Sequence, residues 1–242
     1  MTRIHIKGGR VVTIDAAIGD LPGGDVLIEN GRIAEVGMAL SVADAEVIDA
    51  CDMIVSPGFV DTHRHTWQSC LRHRCVDCSA QAYFEEMLFR RGPAYRPEDV
   101  EIGTLLGALA ALDSGITTLV DWSHIQNSPD HSDAAVAALD AAGIRAVFGH
   151  GWPLGDPVSW MVDSPRPHPR DIERLRRGRF ASDDGLLTLA MAARGPEMAN
   201  DAVWCWRGNW ACGPASTWVP SPSTAKRRPS RGCSGRAPWA TT

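Results

Sequence analysis

The stretch PGFVDTHRH, residues 57–65, decides how the rest of the chain is interpreted. A short apolar segment there leads into polar residues that end with His63 and His65. Side chains two residues apart in an extended segment leave the same face, so both imidazoles and Asp61 share one side. Neutral imidazoles bind zinc, iron or nickel, and a catalytic site keeps one position open for water. The pattern predicts a divalent metal site, with a polar loop carrying two solvated histidines as the alternative.

The residues before this stretch have the pattern of short strands. Ile4 and Ile6 alternate with polar neighbours, as expected of a strand with one buried face. Asn30-Gly31 separates two further strand-like runs, and this dipeptide tolerates positive φ at both centres of a tight hairpin. The sequence therefore predicts a small antiparallel β-unit over residues 1–57.

The residues after this stretch alternate between helices and buried strands. Predicted helices cover residues 97–114, 134–142 and 169–177, and predicted strands cover residues 116–120, 144–148 and 186–192. Such strands form parallel sheets with polar residues at their carboxyl ends. About four βα units fit between residues 58 and 200, whereas a complete eight-fold barrel typically needs about 250 residues. The fold class predicted here is α/β, with only part of a barrel.

The composition is that of an ordinary globular protein, because 44% of the 242 residues are hydrophobic and 22% are charged. These values exclude the disordered, collagen-like and coiled-coil classes. No apolar run approaches the roughly 20 residues of a membrane-spanning helix. The first residues are charged and do not show the apolar pattern of a signal peptide. Seven cysteines without an export signal indicate a reducing cytoplasm.

Five blocks of the chain carry a family resemblance. They are ENGRIAEVG (29–37), IVSPGFVDTHRHTWQSCLR (54–72), GITTLVDWSHI (115–125), AGIRAVFGHG (142–151) and LLTLAMAARGP (186–196). In content, order and spacing they resemble the metal-dependent amidohydrolase superfamily, most of all its branch of cytosine, guanine and triazine deaminases and chlorohydrolases. The resemblance implies the N-terminal half of a (β/α)8 TIM-type barrel over residues 58–200, preceded by a small antiparallel β-sandwich subdomain over residues 1–57.

The resemblance also implies a ligand set for one divalent metal ion, zinc or iron. His63 and His65 match the two ligands at the end of the first barrel strand. The family adds histidines after strands 5 and 6, an aspartate after strand 8, and a glutamate after strand 5 that shuttles protons. In this chain the last histidine is His168 and the last acidic residue is Asp201. The proton shuttle and the later ligands are therefore expected to be missing, and no catalytic residue is assigned.

Three residues that follow the histidine pair are candidates for substrate binding. Trp67, Gln68 and Arg72 lie where the family often places substrate contacts. An indole can stack on a flat heterocycle, and an amide can pair with its edge. The alternative is the start of a helix with one buried Trp.

Polar residues at the predicted strand ends are further candidates. Asp121 and His124 end the second strand, where a carboxylate can orient a ligand histidine from outside the coordination sphere, as can Asp61. His150 ends the third strand and Arg194 follows the fourth, and both are candidates for substrate binding. The alternatives are satisfied polar loops and an arginine that braces its own loop.

A last motif is the CxxC pair of Cys75 and Cys78, with His73 nearby. One CxxC without a second pair is a weak zinc signal, and ordinary loop thiols are the expected state. The chain has no P-loop, no Rossmann fingerprint and no serine nucleophile elbow.

The C-terminal residues 202–242 differ from the rest. They carry a net charge of +6 without any acidic residue, whereas residues 1–201 carry −11. GC-rich coding DNA often yields such a composition out of frame, and shifting residues 204–219 by one nucleotide permits LVLARELGVRPSVHVG, which resembles the family's helix 4 and strand 5. We therefore expect a frameshift near residues 199–203, in the genome or in the sequence as determined, and an aberrant tail over residues 201–242. A genuine basic tail that binds phosphate backbones or anionic lipid is the competing interpretation.

The function implied by the resemblance is metal-dependent hydrolysis of C–N bonds other than peptide bonds. The preferred hypothesis is deamination of an amino-substituted heterocycle by metal-activated water, and a cyclic amide or triazine (chloro)hydrolase is the alternative. An inactive truncated fragment of such an enzyme is the other alternative, since half a barrel leaves strand edges unpaired. The expected partner is a small heterocyclic substrate, with no nucleic acid and no membrane, and a full-length chain could form a homo-oligomer.

Overall fold

The computed structural model describes residues 2–195 and Met198. The chain divides into two compact units, and the division falls between Phe59 and Val60. The expected frameshift and the tail over residues 201–242 lie outside the described residues. None of the helices in the described part is both long and apolar enough to span a membrane.

The first unit contains one five-stranded sheet. Its strands are β1 (Arg3–Val11), β2 (Leu21–Glu29), β3 (Arg32–Met38), β4 (Glu46–Asp49) and β5 (Ile54–Val55). The strand order is β3-β2-β1-β4, and β5 also pairs with β1. The predicted hairpin is confirmed: β2 and β3 are antiparallel, and Asn30 and Gly31 between them have φ of 51° and 75°.

The expectation of an antiparallel unit is wrong for two of these strands. The pairs β1–β2 and β2–β3 are antiparallel, but β4 and β5 both run parallel to β1. Because β3 and β4 therefore point the same way, residues 39–45 must return the chain along the sheet. A strand's alternation of apolar and polar residues has the same period in either direction, so the sequence pattern could not reveal this crossover.

The second unit combines a four-stranded sheet with helices. Its strands are β6 (Phe59–Arg64), β7 (Ile116–Ser123), β8 (Arg145–His150) and β9 (Leu187–Met191), in the order β6-β7-β8-β9. Strands β7, β8 and β9 are parallel. The α-helices are α1 (Ala80–Tyr83), α2 (Pro97–Asp113), α3 (Pro129–Ala142), α4 (Pro157–Met161) and α5 (Asp171–Arg177). Shorter turns of other helix types cover Thr66–Leu71 and Gly92–Ala94 (3₁₀) and Phe84–Arg91 (π).

The predicted alternation of strands and helices is confirmed, and the differences lie at the boundaries. Helix α2 begins at Pro97 as expected, because proline suits the first helical turn and Asp99 accepts a hydrogen bond from the backbone N–H of Arg96 at 3.0 Å. Helix α3 ends at Gly143, which has φ of 68°. Strand β7 continues to Ser123, so Asp121 lies inside the strand rather than at its end.

Two glycines let α2 lie directly on the 3₁₀ helix that follows the histidine pair. A Cβ atom on Gly103 would come within 2.3 Å of the carbonyl oxygen of Trp67. A Cβ atom on Gly107 would come within 2.5 Å of the hydroxyl oxygen of Ser69. Larger residues at either position would push the helices apart, so these glycines help to position the segment after His65.

Candidate metal centre

His63 and His65 form an imidazole pair at the end of β6. Their Nε2 atoms lie 3.3 Å apart, and their ring centroids are 4.8 Å apart with the rings nearly perpendicular. In a tetrahedral zinc site with Zn–N bonds of about 2.0–2.1 Å, two ligand nitrogens are separated by about 3.3 Å. The spacing of this pair therefore fits two ligands of one metal ion.

The other ring nitrogen of His65 is anchored to the backbone. Nδ1 lies 2.7 Å from the carbonyl oxygen of Trp122, and because a carbonyl only accepts, Nδ1–H is the donor. This assignment leaves a lone pair on Nε2, the atom that faces His63. Burial, together with the nearby His63, lowers the pKa of His65 to about 4, although the hydrogen bond to Trp122 acts in the opposite direction. The imidazole is therefore neutral near pH 7, as metal binding requires.

Asp61 supports the backbone next to the imidazole pair. Its Oδ1 accepts the backbone N–H of His63 at 3.1 Å, and its Oδ2 pairs with Nε of Arg64 at 2.7 Å. The His63 side chain is exposed, with its ring 5.3 Å from the ring of Trp122. The carboxylate thus holds the backbone of one ligand candidate in its extended conformation.

Asp121 lies on β7, next to the strand that carries the histidine pair, and is fully buried. Its Oδ1 accepts the backbone N–H of Thr66 at 3.1 Å, which ties β7 to the residue after His65. Its Oδ2 has no hydrogen-bond partner among the described residues. Burial raises the pKa of Asp121 to about 6, although the hydrogen bond from Thr66 acts in the opposite direction.

A third imidazole lies next to the pair. The ring of His124 is 4.3 Å from that of His65, and its Nδ1 lies 3.2 Å from the same carbonyl oxygen of Trp122. Burial, followed by the charge of His65, lowers its pKa well below the usual value. Within residues 2–195, however, no three His, Cys, Asp or Glu side chains are arranged to hold a metal ion. The described part of the site consists of two ligand candidates and their supports.

Two of the three residues predicted for substrate contact after the pair have partners within the protein. Trp67 is fully buried, edge-on to Tyr95 at 4.9 Å, so neither face of its indole is open to a ligand. The amide Nε2 of Gln68 donates to the hydroxyl of Tyr83 at 2.7 Å. Arg72 is exposed just beyond the 3₁₀ helix.

His150 is fully buried in a second imidazole pair. Its Nδ1 lies 3.0 Å from Nε2 of His168, and its own Nε2 lies 3.6 Å from a carboxylate oxygen of Asp171. Sequence reasoning missed His168, which lies between prolines in a segment without periodicity. Burial, followed by the charges of His150 and Arg194, lowers the pKa of His168 well below its usual value.

Arg194 is also buried, and its guanidinium binds backbone carbonyls. Nη1 donates to the carbonyl oxygen of Trp160 at 2.8 Å, and Nη2 donates to that of Arg166. The guanidinium carbon also lies 5.0 Å from the centre of the Trp160 ring. In the described structure this arginine braces the loops around it, which was the alternative interpretation from sequence.

The family now follows from comparison with known proteins. A sequence model of the amidohydrolase family matches residues 54–203, which include the histidine pair and the four-stranded sheet. The chain belongs to the amidohydrolase family.

Sequence relatives are deaminases. The chain is similar to the 5'-deoxyadenosine deaminase of Methanosarcina mazei, with 33% identity over 151 residues, 62% of this chain and 34% of that protein. It is also similar to the 5-methylthioadenosine/S-adenosylhomocysteine deaminase of Thermococcus kodakarensis, with 35% identity over 155 residues, 64% of this chain and 35% of that protein. The chain thus spans about a third of the length of the curated relatives it matches.

Solved structures share the fold. Atrazine chlorohydrolase from Arthrobacter aurescens TC1, complexed with zinc, superposes with a TM-score of 0.64 at 22% identity, over 81% of this chain and 48% of that one. The guanine deaminase of E. coli gives a TM-score of 0.58 at 21% identity, over 78% of this chain and 46% of that one.

Proposed function

We propose that this chain carries the first part of the metal site of a hydrolase that deaminates an amino-substituted heterocycle. The observation that carries the proposal is the 3.3 Å separation of the His63 and His65 Nε2 atoms, with Nδ1 of His65 held by the carbonyl of Trp122. The deaminases at 33–35% identity support a purine nucleoside as the kind of heterocycle.

The residues of this chain would have distinct tasks in such an enzyme. His63 and His65 would hold a zinc or iron ion, which when bound supplies a nucleophile from water near neutral pH. The Trp122 carbonyl accepts Nδ1–H of His65, so the Nε2 lone pair of this histidine would be available to the ion. Asp61 holds the backbone of His63, and Asp121 holds the turn at Thr66 through its backbone N–H.

A triazine chlorohydrolase or cyclic amide hydrolase is the second candidate. The structural similarity to atrazine chlorohydrolase favours it, because that enzyme superposes over 81% of this chain. Attack by the same nucleophile serves an amine, an amide or a chloride leaving group, so the histidine pair alone does not separate the two candidates.

The proposal includes the half-barrel, the domain parts over residues 1–57 and 58–200, a cytoplasmic location and a frameshift near residues 199–203.

The frameshift is supported by the family match, which stops at residue 203, next to the last acidic residue. Resequencing the coding DNA from about codon 190 onward tests it. A single-base change that restores VHVG and a later histidine and aspartate supports a complete enzyme. If the DNA confirms the present reading frame and no downstream frame encodes the later histidine and aspartate, the result supports an inactive fragment.

The frame-restored protein is the form in which to test activity. With zinc or iron added, we expect ammonia release from adenine nucleosides, and loss of this activity in both H63A and H65A. Chloride release from chlorotriazines without ammonia release would favour the second candidate. Activity that persists in both variants would refute the metal site itself.

A further inference from the structure

The loop between the 3₁₀ helix Thr66–Leu71 and α1 contains two thiols that the proposed reaction does not use. Cys75 and Cys78 flank a turn formed by Val76 and Asp77. Cys75 is half-buried against the hydrophobic core of the second unit, whereas Cys78 is exposed. One thiol is thus held in place by packing and the other is accessible to small molecules.

The two thiols are close enough to interact. Sγ of Cys78 lies 3.4 Å from the carbonyl oxygen of Cys75. Burial, followed by the neighbouring Cys75 side chain, raises the pKa of Cys78. A four-residue turn brings its first and last Cα atoms within about 7 Å, and a disulfide needs a separation of about 4.4–6.8 Å. A turn at Val76 and Asp77 is therefore compatible with a disulfide between the cysteines on either side of it.

No other cysteine lies in this turn. The remaining cysteines in the described part of the chain are Cys51, in the first unit, and Cys70, exposed on the 3₁₀ helix. His73 does not complete a metal site with the pair, because the described residues contain no group of three side chains arranged as metal ligands. The structure therefore favours a bond between Cys75 and Cys78 over zinc binding.

We propose that Cys75 and Cys78 are a redox modification site that closes to a disulfide by exchange with a small disulfide such as oxidised glutathione. A thiolate of the pair attacks the small disulfide, forms a mixed disulfide and releases one glutathione thiol. The second thiolate then displaces the other glutathione and forms the S–S bond. The protein gives up two electrons and two protons, and the small disulfide becomes two thiols. In a reducing compartment such a bond is transient, as expected of a sensor.

The modification site is connected to the helix after His65 through Tyr83 and Gln68. The thiols of Cys75 and Cys78 are close enough to the phenol of Tyr83 that, after burial, their charges contribute to its raised pKa. The same hydroxyl holds the amide of Gln68 at 2.7 Å, on the helix that follows His65. Closing the bond replaces both thiols near this tyrosine by a disulfide, and it removes the hydrogen bond of the Cys78 thiol to the Cys75 carbonyl.

The test equilibrates the full 242-residue chain in glutathione buffers, traps free thiols by alkylation and maps disulfides by mass spectrometry. We expect a peptide bridged between Cys75 and Cys78 that is two hydrogens lighter than the dithiol. At a fixed ratio of oxidised to reduced glutathione, the bridged fraction should rise on dilution of the buffer, because each bridge releases two glutathione thiols. A mixed disulfide releases only one, so the ratio of mixed disulfide to free dithiol should not change.

Serine variants provide the controls. C75S and C78S should each lose the bridge and carry one glutathione on the remaining thiol, whereas a C51S/C70S variant should keep the bridge. Circular dichroism checks that each variant is folded. The disulfide map of the wild-type protein tests the proposal even if a variant does not fold. Glutathione adducts on both thiols without a bridge, or a bridge from Cys75 to Cys70, would overturn the proposal. So would bound zinc that both single variants lose.

Discussion

His63 and His65 at the end of β6 differ from His150 and His168 near the end of β8 in the atoms that face each other. In the first pair the two Nε2 atoms face each other at 3.3 Å, and the remaining nitrogen of His65 is bound to a backbone carbonyl. In the second pair Nδ1 faces Nε2 at 3.0 Å. The carboxylate of Asp171 lies on the far side of His150, 3.6 Å from Nε2.

This difference separates a pair whose Nε2 atoms suit one metal ion from a pair whose rings hydrogen-bond to each other. Nδ1 of His150 and Nε2 of His168 share that hydrogen bond, whereas Nε2 of His150 is near Asp171 but has no hydrogen-bond partner among the described residues. The first ring of that pair is also fully buried. The first pair keeps an exposed side, on His63, from which an ion can enter.

The largest expected effect is on metal affinity. Replacing a ligand, as in H65A, should weaken zinc binding by more than about 100-fold, because loss of an outer support alone typically costs about 10–100-fold. Isothermal titration calorimetry at constant pH measures this. The matched control is H168N, in the other pair, which should leave the zinc affinity within about twofold. Equal losses in H65A and H168N would show that the comparison between the pairs is wrong.

The next effect is on stability. D171N should lower the free energy of unfolding by about 2–3 kcal/mol, because it removes the carboxylate beside His150 and the partner of Arg174 at 2.6 Å, in a side chain that is 13% exposed. Urea denaturation measures the change. D140N is the control: its pair with Arg179 is more exposed and should contribute less than about 1 kcal/mol.

The same carboxylate should make stability depend on pH. Burial raises the pKa of Asp171, but the neighbouring His150 and the hydrogen bond from Arg174 outweigh it and hold the pKa well below its usual value. A carboxyl group whose pKa is lower in the folded than in the unfolded state stabilises the fold at pH values above its unfolded pKa of about 3.9. This stabilisation is lost as the pH falls below that value. The stability gap between wild type and D171N should therefore narrow from pH 5 to pH 2 in urea titrations. A constant gap over that range would contradict the depressed pKa.

The smallest expected effect concerns Trp122. Its backbone carbonyl, not its indole, orients His65, so W122F should change zinc affinity by no more than about threefold even though the ring lies 5.3 Å from His63. The calorimetric measurement used for H65A applies here. A loss comparable to that of H65A would mean that the indole, rather than the carbonyl, holds the pair in place.

Much of the fold could be predicted because it depends on short-range patterns. The start of α2 at Pro97, the end of α3 at Gly143 and the hairpin at Asn30 need only a few neighbouring residues. The family also followed from five short blocks of sequence. The direction of β4 could not be predicted, because parallel and antiparallel strands show the same alternation.

The candidate site was predictable only in part. The shared face of His63 and His65 is a property of an extended backbone and needs no other part of the chain. The surroundings of Trp67 and Arg194 depend on distant segments: α2 covers the carbonyl side of the first, and the backbone of α4 at Trp160 accepts a hydrogen bond from the second. Indole and guanidinium groups serve equally well in cores and in binding sites, so residue type alone could not decide their roles.

The sequence by itself determined the order of strands and helices, the family, and two histidines on one side of a strand, since each depends on residues close together in the chain. Only the tertiary structure decided which nitrogen of His65 faces outward, because the carbonyl that holds the other nitrogen is 57 residues away on β7. It also decided that His150 pairs with His168, through a contact 18 residues apart that no periodicity marks. Ring orientation is a matter of hydrogen bonds and packing between distant segments, and these exist only once the chain has folded.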